Sequence, residues 1–338
     1  MIKYPCILSL VILCFCVACK ENKTTPEKEN TGFVGANDEQ LVAISALIDK
    51  EPLNAKLRYE RAKMLQEKKY YDEAVADLRV AILQDSLVPE FYHLLSDVFM
   101  DNALSSKALQ TMETAAHLFP TRIPTQLKLS ETQLILQLYE QSISTLNEIL
   151  RQDPQNAEAY FMLGLNFREM GDERRAINAL KTATEFDSRI VDGWIILGNI
   201  YEAKNDKSAL EYYNAAVNVD PRNPNALHSK AYYLQNHGDV KGALLLYDQI
   251  ISVDKEYTDA YLNAGILNLD RDSLQRALEQ FNILAGKSPQ DWRPYYYRSL
   301  VYKRIGNKSA ALADIQSCIN LADDDEQAEQ LKKEIERM

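Results

Sequence analysis

The sequence predicts an all-α solenoid, built by stacking one helix–turn–helix unit along the chain. Three observations predict it: prolines recur at multiples of about 34 residues, apolar residues between them follow helical spacing, and small residues hold two fixed positions in each unit. Successive prolines at Pro52, Pro120, Pro154, Pro221 and Pro289 are 68, 34, 67 and 68 residues apart. The other four prolines after Pro26, which are Pro89, Pro124, Pro224 and Pro294, also fall at seams of this register. No proline interrupts the segments between the seams, as expected of helices, because an interior proline costs a helix about 3 kcal/mol.

The N-terminal segment contains four of the five cysteines, Cys6, Cys14, Cys16 and Cys19. An uncharged run, residues 6–18, follows Lys3 and is too short to cross a hydrocarbon core of about 30 Å. Such a run after a basic residue predicts a secretory signal peptide, residues 1–18. A metal or redox Cys-x-x-Cys site is disfavoured, because no second pair of ligands follows.

The end of that segment, Val17-Ala18-Cys19, resembles the lipobox of bacterial lipoproteins. The resemblance implies that Cys19 carries a covalent lipid and becomes the first residue of the mature chain; no other cofactor is expected. Residues 19–37 are polar, lack an apolar period and predict a flexible tether. Because Lys20 follows the cysteine, the resemblance favours the outer membrane, with the chain facing the periplasm.

The chain is acidic, with 38 basic and 49 acidic residues and a net charge of −11. Loss of residues 1–18 would remove Lys3 alone and leave −12. Binding to nucleic acid depends on Lys and Arg neutralising phosphates, so we expect no nucleic-acid partner. The same acidity argues against a polybasic hold on anionic lipid, and membrane attachment is expected through the lipid on Cys19.

The repeat register divides residues 55–325 into eight units, the fifth one residue short. They are 55–88, 89–122, 123–156, 157–190, 191–223, 224–257, 258–291 and 292–325. In the fourth unit, apolar or small residues at helical spacing predict two helices, and Gly171 is placed to end the first in the left-handed conformation. Residues 38–54 match only the second helix of a unit, and residues 326–338 predict a charged capping helix.

Two positions, counted from the first residue of each unit, are small in every unit. Position 8 is Ala62, Ser96, Ser130, Gly164, Gly198, Ala231, Gly265 and Ser299. Position 20 is Ala74, Ala108, Ser142, Ala176, Ala209, Ala243, Ala277 and Ala311. This pattern resembles the tetratricopeptide repeat (TPR), and the resemblance covers residues 55–325. It implies a right-handed superhelix in which positions 8 and 20 are the close contacts between the two helices, as at the pairs Gly164 and Ala176, Gly198 and Ala209, and Gly265 and Ala277.

The residues offer no basis for catalysis or metal binding. His93 and His228 share one register position but lie four units apart, and no His-x-x-x-His or Cys-x-x-Cys pair remains after residue 19. The glycines form no phosphate-binding loop. We therefore expect a non-enzymatic protein, and we expect Cys318 to be a buried small residue rather than a reactive thiol.

The resemblance implies that the first helices line a concave groove through positions 2, 5, 9 and 12. The predicted partner-binding residues are Phe161, Leu165, Ile195, Tyr232, Leu262, Asn263, Ile266, Leu269, Arg293, Tyr296, Leu300, Lys303 and Arg304. Such grooves suit an extended peptide or an amphipathic helix. Two alternatives stay open: neighbouring first helices bury this surface, or the C-terminal helix covers it. Some TPR domains clamp a C-terminal carboxylate, but only Asn263 and Arg293 match that pattern.

Three classes of function remain. The first is a lipid-anchored adaptor of the bacterial cell envelope that binds a protein or peptide partner. The second is a glycan-binding outer-membrane lipoprotein, disfavoured because residues 55–325 have no long insertion for a sugar site. The third is a structural subunit that packs end to end as a homo-oligomer.

Overall fold

The computed structural model describes residues 38–322 and 326–338, and within them the chain is entirely helical, which confirms the predicted fold class. The predicted signal peptide, Cys19 and the predicted tether lie outside the described residues. The helices are α1 (Glu39–Lys50), α2 (Ala55–Glu67), α3 (Tyr71–Gln84), α4 (Pro89–Asp101), α5 (Ser105–Leu118), α6 (Ile123–Ile135), α7 (Tyr139–Gln152), α8 (Ala157–Glu169), α9 (Glu173–Phe186), α10 (Val191–Ala203), α11 (Ala209–Val219), α12 (Pro224–Asn236), α13 (Val240–Val253), α14 (Thr258–Asp270), α15 (Leu274–Lys287), α16 (Arg293–Ile305), α17 (Lys308–Leu321) and α18 (Glu326–Glu336).

Each of the eight units contains one helix pair, from α2 and α3 in the first to α16 and α17 in the eighth. The main contacts join helices that are consecutive in sequence, and first helices of successive units also touch, as α10 touches α12. Four first helices, α4, α6, α12 and α16, carry proline in their first turn, where it costs no helical hydrogen bond. In the fifth unit, which is one residue short, α11 has 11 residues, against 14 in the other second helices.

The turn between the two helices has the same backbone in all eight units. Position 15 has a positive φ throughout: Lys69, Ala103, Gln137, Gly171, Asn205, Gly238, Asp272 and Gly306. The next residue donates its N–H to the carbonyl five residues earlier, as Asp172 does to Phe167 at 2.8 Å, which is the Schellman arrangement. The sequence identified Gly171, and five units adopt the same turn without glycine.

The small residues at position 8 lie against the residue at position 24. A Cβ on Gly198 would lie 2.4 Å from the ring of Tyr213, and one on Gly265 would lie 2.5 Å from the ring of Phe281. The ring of Tyr213 is fully buried, and its hydroxyl donates to Glu202 at 2.6 Å and lies 2.8 Å from the amide oxygen of Asn199. Glycine at position 8 therefore makes room for an aromatic residue on the facing helix.

The first and the last unit each contain a buried ion pair between positions 7 and 23. Arg61 forms two hydrogen bonds to Asp77, at 2.6 and 2.7 Å, and Arg298 forms two to Asp314, both at 2.6 Å. The two carboxylates are 3% and 7% exposed. Bidentate pairing of this kind compensates the desolvation of a buried carboxylate.

The described helices at the two ends extend the same packing. In α1, Leu41 is fully buried in one cluster with Leu65 and Leu78 of the first unit. At the other end, α18 buries Leu331 and Ile335 against α17. Cys318 of α17 lies in that cluster, fully buried, as the sequence predicted.

Candidate partner-binding groove

The first helices of the units form one continuous surface, called here the first-helix face. It consists of positions 2, 5, 9 and 12 of α2, α4, α6, α8, α10, α12, α14 and α16. Successive first helices contact each other directly along it, as α14 contacts α16. This face contains most of the residues that the sequence predicts to bind a partner.

Three of the predicted groove residues offer almost no surface to a partner. Ile195, Leu262 and Leu269 are only 9%, 7% and 4% exposed, because they pack between neighbouring helices. The alternative that first helices bury this surface against each other therefore describes these three positions. They stabilise the array rather than contact a ligand.

The remaining apolar residues of the set keep accessible surface. Tyr232 is 46% exposed. The other accessible members are half-buried: Phe161, Leu165, Ile266, Tyr296 and Leu300. Of these, Ile266 and Leu300 pack on the core around Leu262 and Phe281. Each unit from the fourth onward, except the fifth, thus contributes an accessible apolar side chain from the predicted set.

A polar cluster connects the sixth and seventh units on this face. The Asn263 amide lies 3.2 Å from Nε2 of His228, whose ring is 5.5 Å from the Tyr257 ring and 6.3 Å from the stacked Tyr232 ring. Burial lowers the pKa of His228, so the imidazole is neutral and Nε2 accepts from the amide. Asn263 is therefore oriented by the protein itself.

The three cations of the predicted partner-binding set are all paired with carboxylates of the chain. Arg293 donates to Asp291 at 2.7 Å and lies 3.8 Å from Asp259. Lys303 binds Glu334 of α18 at 2.5 Å.

Arg304 donates to the Leu269 carbonyl at 2.6 Å and lies 3.6 Å from Asp272. Nearby carboxylates therefore offset the positive charge of these three residues in the seventh and eighth units. Sequence spacing alone did not reveal those partners.

The C-terminal helix continues the array and meets the first-helix face in the eighth unit, where Lys303 at position 12 binds Glu334 and where Tyr296 and Leu300 pack on the cluster that contains Leu331 and Ile335. Its hydrogen bonds reach the eighth unit: Lys303 to Glu334, Lys308 to the Glu336 carbonyl at 2.6 Å, and Lys332 to Gln316 at 2.9 Å. Its core contacts are with α16 and α17. The exposed ring of Tyr232 lies two units away from these contacts.

Residues 38–322 and 326–338 lack the features of a metal site and of a membrane-spanning helix. These residues contain no cluster of three or more His, Cys, Asp or Glu side chains suited to a metal ion. None of the helices among them combines the length and the apolar character needed to cross a bilayer. Cys19 lies outside this part of the chain.

Comparison with known proteins supports the repeat assignment. The family model described as "Tetratricopeptide repeat" matches residues 161–226 and 228–292. Among solved structures, the APC/C hetero-tetramer Cut9–Hcn1 is similar, with a TM-score of 0.53 at 16% identity over 88% of this chain and 59% of that chain. PilF of Pseudomonas aeruginosa has a TM-score of 0.54 at 16% identity, over 62% of this chain and 96% of that chain. The two matched segments and the similar solenoid folds support a tetratricopeptide repeat protein.

The curated relatives that the chain matches are much longer than the chain. Superkiller protein 3 of Schizosaccharomyces pombe is 22% identical over 271 residues, which are 75% of this chain and 19% of that protein. BBSome complex member BBS4 of Bos taurus is 28% identical over 165 residues, which are 48% of this chain and 31% of that protein. The chain spans less than a third of the length of either relative.

One feature escaped the sequence reasoning, which considered only the first helices as a binding surface. On the side of the second helices, Tyr212 of α11 stacks on Tyr201, with ring centroids 4.9 Å apart, and on Trp194 at 6.2 Å. The ammonium of Lys181 on α9 lies 5.3 Å from the Tyr201 centroid. The available signal was position 23, which holds an aromatic residue in this unit alone.

Proposed function

We propose that the protein is a membrane-anchored scaffold of the bacterial cell envelope, which binds a peptide or helix of a partner protein on the first-helix face. Tetratricopeptide repeat proteins are protein-interaction scaffolds, and this coarser role follows from the fold. The proposal adds the membrane anchor, the location in the cell envelope and the surface that binds the partner. Its main support is the lipobox-like Val17-Ala18-Cys19 ahead of an uninterrupted repeat array.

The half-buried apolar side chains of the first-helix face support the place of binding. Tyr232, Ile266 and Leu300 come from three successive units, at the same position 9. Side chains repeated at this spacing match the apolar face of a helix or alternate residues of an extended peptide. We also propose that the protein acts without catalysis, as an adaptor.

The anchor is tested by fractionation. Wild-type protein should float with membranes and shift to the soluble fraction in the Cys19→Ala variant, which lacks the acylated sulfur. Labelling with an alkyne fatty acid should give a signal in the wild type alone. Unchanged membrane association of Cys19→Ala would overturn the anchoring part of the proposal.

The binding surface is tested by photo-crosslinking in living cells. A crosslinking amino acid at Ile266 should capture a discrete partner, and Tyr232→Glu should abolish the product by placing a charge in the apolar path. Leu245 on α13, which is 63% exposed, provides a control site on a second helix. Equal yields of the same product from both sites would overturn the proposed place of binding.

A further inference from the structure

The second helices of neighbouring units border clefts whose floor is the first helix between them. In the cleft between α9 and α11, the floor is Trp194 and Tyr201, at positions 4 and 11 of the fifth unit. Tyr212, at position 23 when the missing residue is allowed for, fills this cleft by stacking on both rings. Lys181, at position 25 of the preceding unit, lies 5.9 Å from the Tyr212 centroid. An aromatic ring under a cation occupies this cleft.

The cleft between α3 and α5 has the same construction without the filling ring. Its floor is Tyr92 and Phe99, again at positions 4 and 11, and Arg79 takes the place of Lys181. Position 23 is Thr111, whose hydroxyl donates to the carbonyl of Lys107. The result is a cleft of about 530 Å³, bordered by both second helices.

The rim of this cleft is cationic in an acidic protein. Lys107 lies 5.7 Å from the Phe99 centroid. Neither Arg79 nor Lys107 forms an ion pair with another residue in the ranges 38–322 and 326–338, whereas Arg293, Lys303 and Arg304 all do. Two unpaired cations beside aromatic rings attract carboxylates and an aromatic face together.

An exposed leucine adjoins the same cleft. Leu83, at position 29, is 85% exposed and lines the opening. No other unit has an aliphatic residue there, since the equivalents are His117, Arg151, Glu185, Asn218, Ser252, Gly286 and Asn320. The surface around the cleft therefore differs from that of the other units at position 29.

We propose that the cleft between α3 and α5 binds an aromatic side chain of a partner protein, flanked by acidic residues. The aromatic ring would take the place that Tyr212 takes in the other cleft, on Tyr92 and Phe99, with carboxylates beside Arg79 and Lys107. Aromatic anchors in pockets of this kind carry much of the affinity of an interface. The site lies on the second helices, so it does not depend on the first-helix face or on the lipid anchor.

The test measures binding of two labelled synthetic peptides to the purified full chain by fluorescence anisotropy. One peptide has a single tyrosine between pairs of glutamates, and the other has alanine in its place. We expect at least tenfold weaker binding of the alanine peptide. Thr111→Tyr, which would fill the cleft as Tyr212 does, should weaken binding of the tyrosine peptide at least tenfold.

Two variants at the same register position sharpen the test. Thr145→Tyr makes the same substitution one unit later and should leave binding unchanged. Tyr212→Thr should open the second cleft and raise the stoichiometry from one peptide to two. If Thr111→Tyr prevents folding, as judged by circular dichroism, Arg79→Glu is measured in its place. Arg79→Glu should also weaken binding of the tyrosine peptide at least tenfold.

Equal affinity of the two peptides, or binding that survives both Thr111→Tyr and Arg79→Glu, would overturn the proposal. Sedimentation of the chain without peptide measures whether the chain associates with itself. Self-association that Thr111→Tyr abolishes would identify a second copy of the chain as the occupant, and would overturn the assignment to a partner protein.

Discussion

The end units and the central units of this array join their two helices by different contacts. The first and eighth units place Arg and Asp at positions 7 and 23, as Arg61 with Asp77 and Arg298 with Asp314. The fourth and fifth units have leucine at position 7, and the fifth adds an aromatic residue at position 24, buried against Gly198. The end units thus add an ion pair to the buried apolar contact at position 24, where Leu78 and Ile315 are fully buried, whereas the fourth and fifth units fill the space by apolar volume.

The difference follows from what surrounds each unit. The guanidinium-bearing side chains of Arg61 and Arg298 are 17% and 18% exposed, so each arginine keeps contact with water while its head binds a buried carboxylate. A central unit has repeats on both sides and can bury apolar surface against each. The same helix pair therefore tolerates either contact, depending on its place in the array.

Breaking the ion pair of an end unit should give the largest effect. Asp314→Ala leaves the partly buried Arg298 without its carboxylate, and we expect a loss of about 3 kcal/mol of unfolding free energy. Urea denaturation followed by circular dichroism measures it. The double variant Arg298→Leu with Asp314→Leu should regain most of the loss; a double variant as unstable as Asp314→Ala would show that the charge itself is not the cause.

Overfilling a central unit should give the next effect. Gly198→Ala places a Cβ within 2.4 Å of the Tyr213 ring, and we expect destabilisation of about 1–3 kcal/mol. Gly286→Ala is the matched control, since its Cβ would meet nothing within 4 Å. That substitution should stabilise α15 by up to about 1 kcal/mol. Equal effects of the two variants would contradict the steric explanation.

The turn at position 15 has the same backbone in end and central units, so we expect substitutions there to have the same effect on stability in both. Lys69→Gly in the first unit and Asn205→Gly in the fifth should each stabilise the chain by about 0.5–1 kcal/mol, because both residues have a positive φ. Gly171→Ala should destabilise it by a similar amount. Thermal unfolding midpoints of the three variants measure this, and opposite signs for Lys69→Gly and Asn205→Gly would refute it.

The smallest expected effect is a pH dependence from the polar cluster on the first-helix face. Burial lowers the pKa of His228 below its usual 6.5, so the unfolded chain takes up a proton first as the pH falls. Stability from this group is complete above about pH 6.5 and decreases as the pH falls towards the folded pKa. Denaturation midpoints at pH 7.5 and 5.5 should differ less in His228→Gln than in the wild type. An unchanged difference would exclude His228 as the source.

Much of the fold could be predicted from the sequence because its rules are local. Proline at the seams and small residues at positions 8 and 20 act within one unit, so a register counted along the chain is sufficient to find them. The turn shows where local rules fail. Lys69 and Ala103 adopt a positive φ without glycine, because the packing of the two helices outweighs their backbone preference.

The site was harder to predict, because it depends on contacts between units. Burial of Ile195 and Leu262 depends on how closely neighbouring first helices approach, which position within a unit does not specify. The partner of Lys303 lies 31 residues away, on α18. The cleft between α3 and α5 is recognised only when position 23 is compared between units. Thr111 leaves this cleft open, whereas Tyr212 fills the equivalent cleft, and the sequence alone does not show that position 23 borders a cleft.

The contacts between described helices have a mechanical consequence. The main ones join a helix to its nearest or next-nearest neighbour, so distant repeats are coupled only through those between them. Small rotations between neighbouring units add up along the chain, so the array should bend and stretch elastically. A partner that spans several units would therefore fix the pitch of the coil, and extension under a weak force, measured with optical tweezers, should become stiffer when it binds.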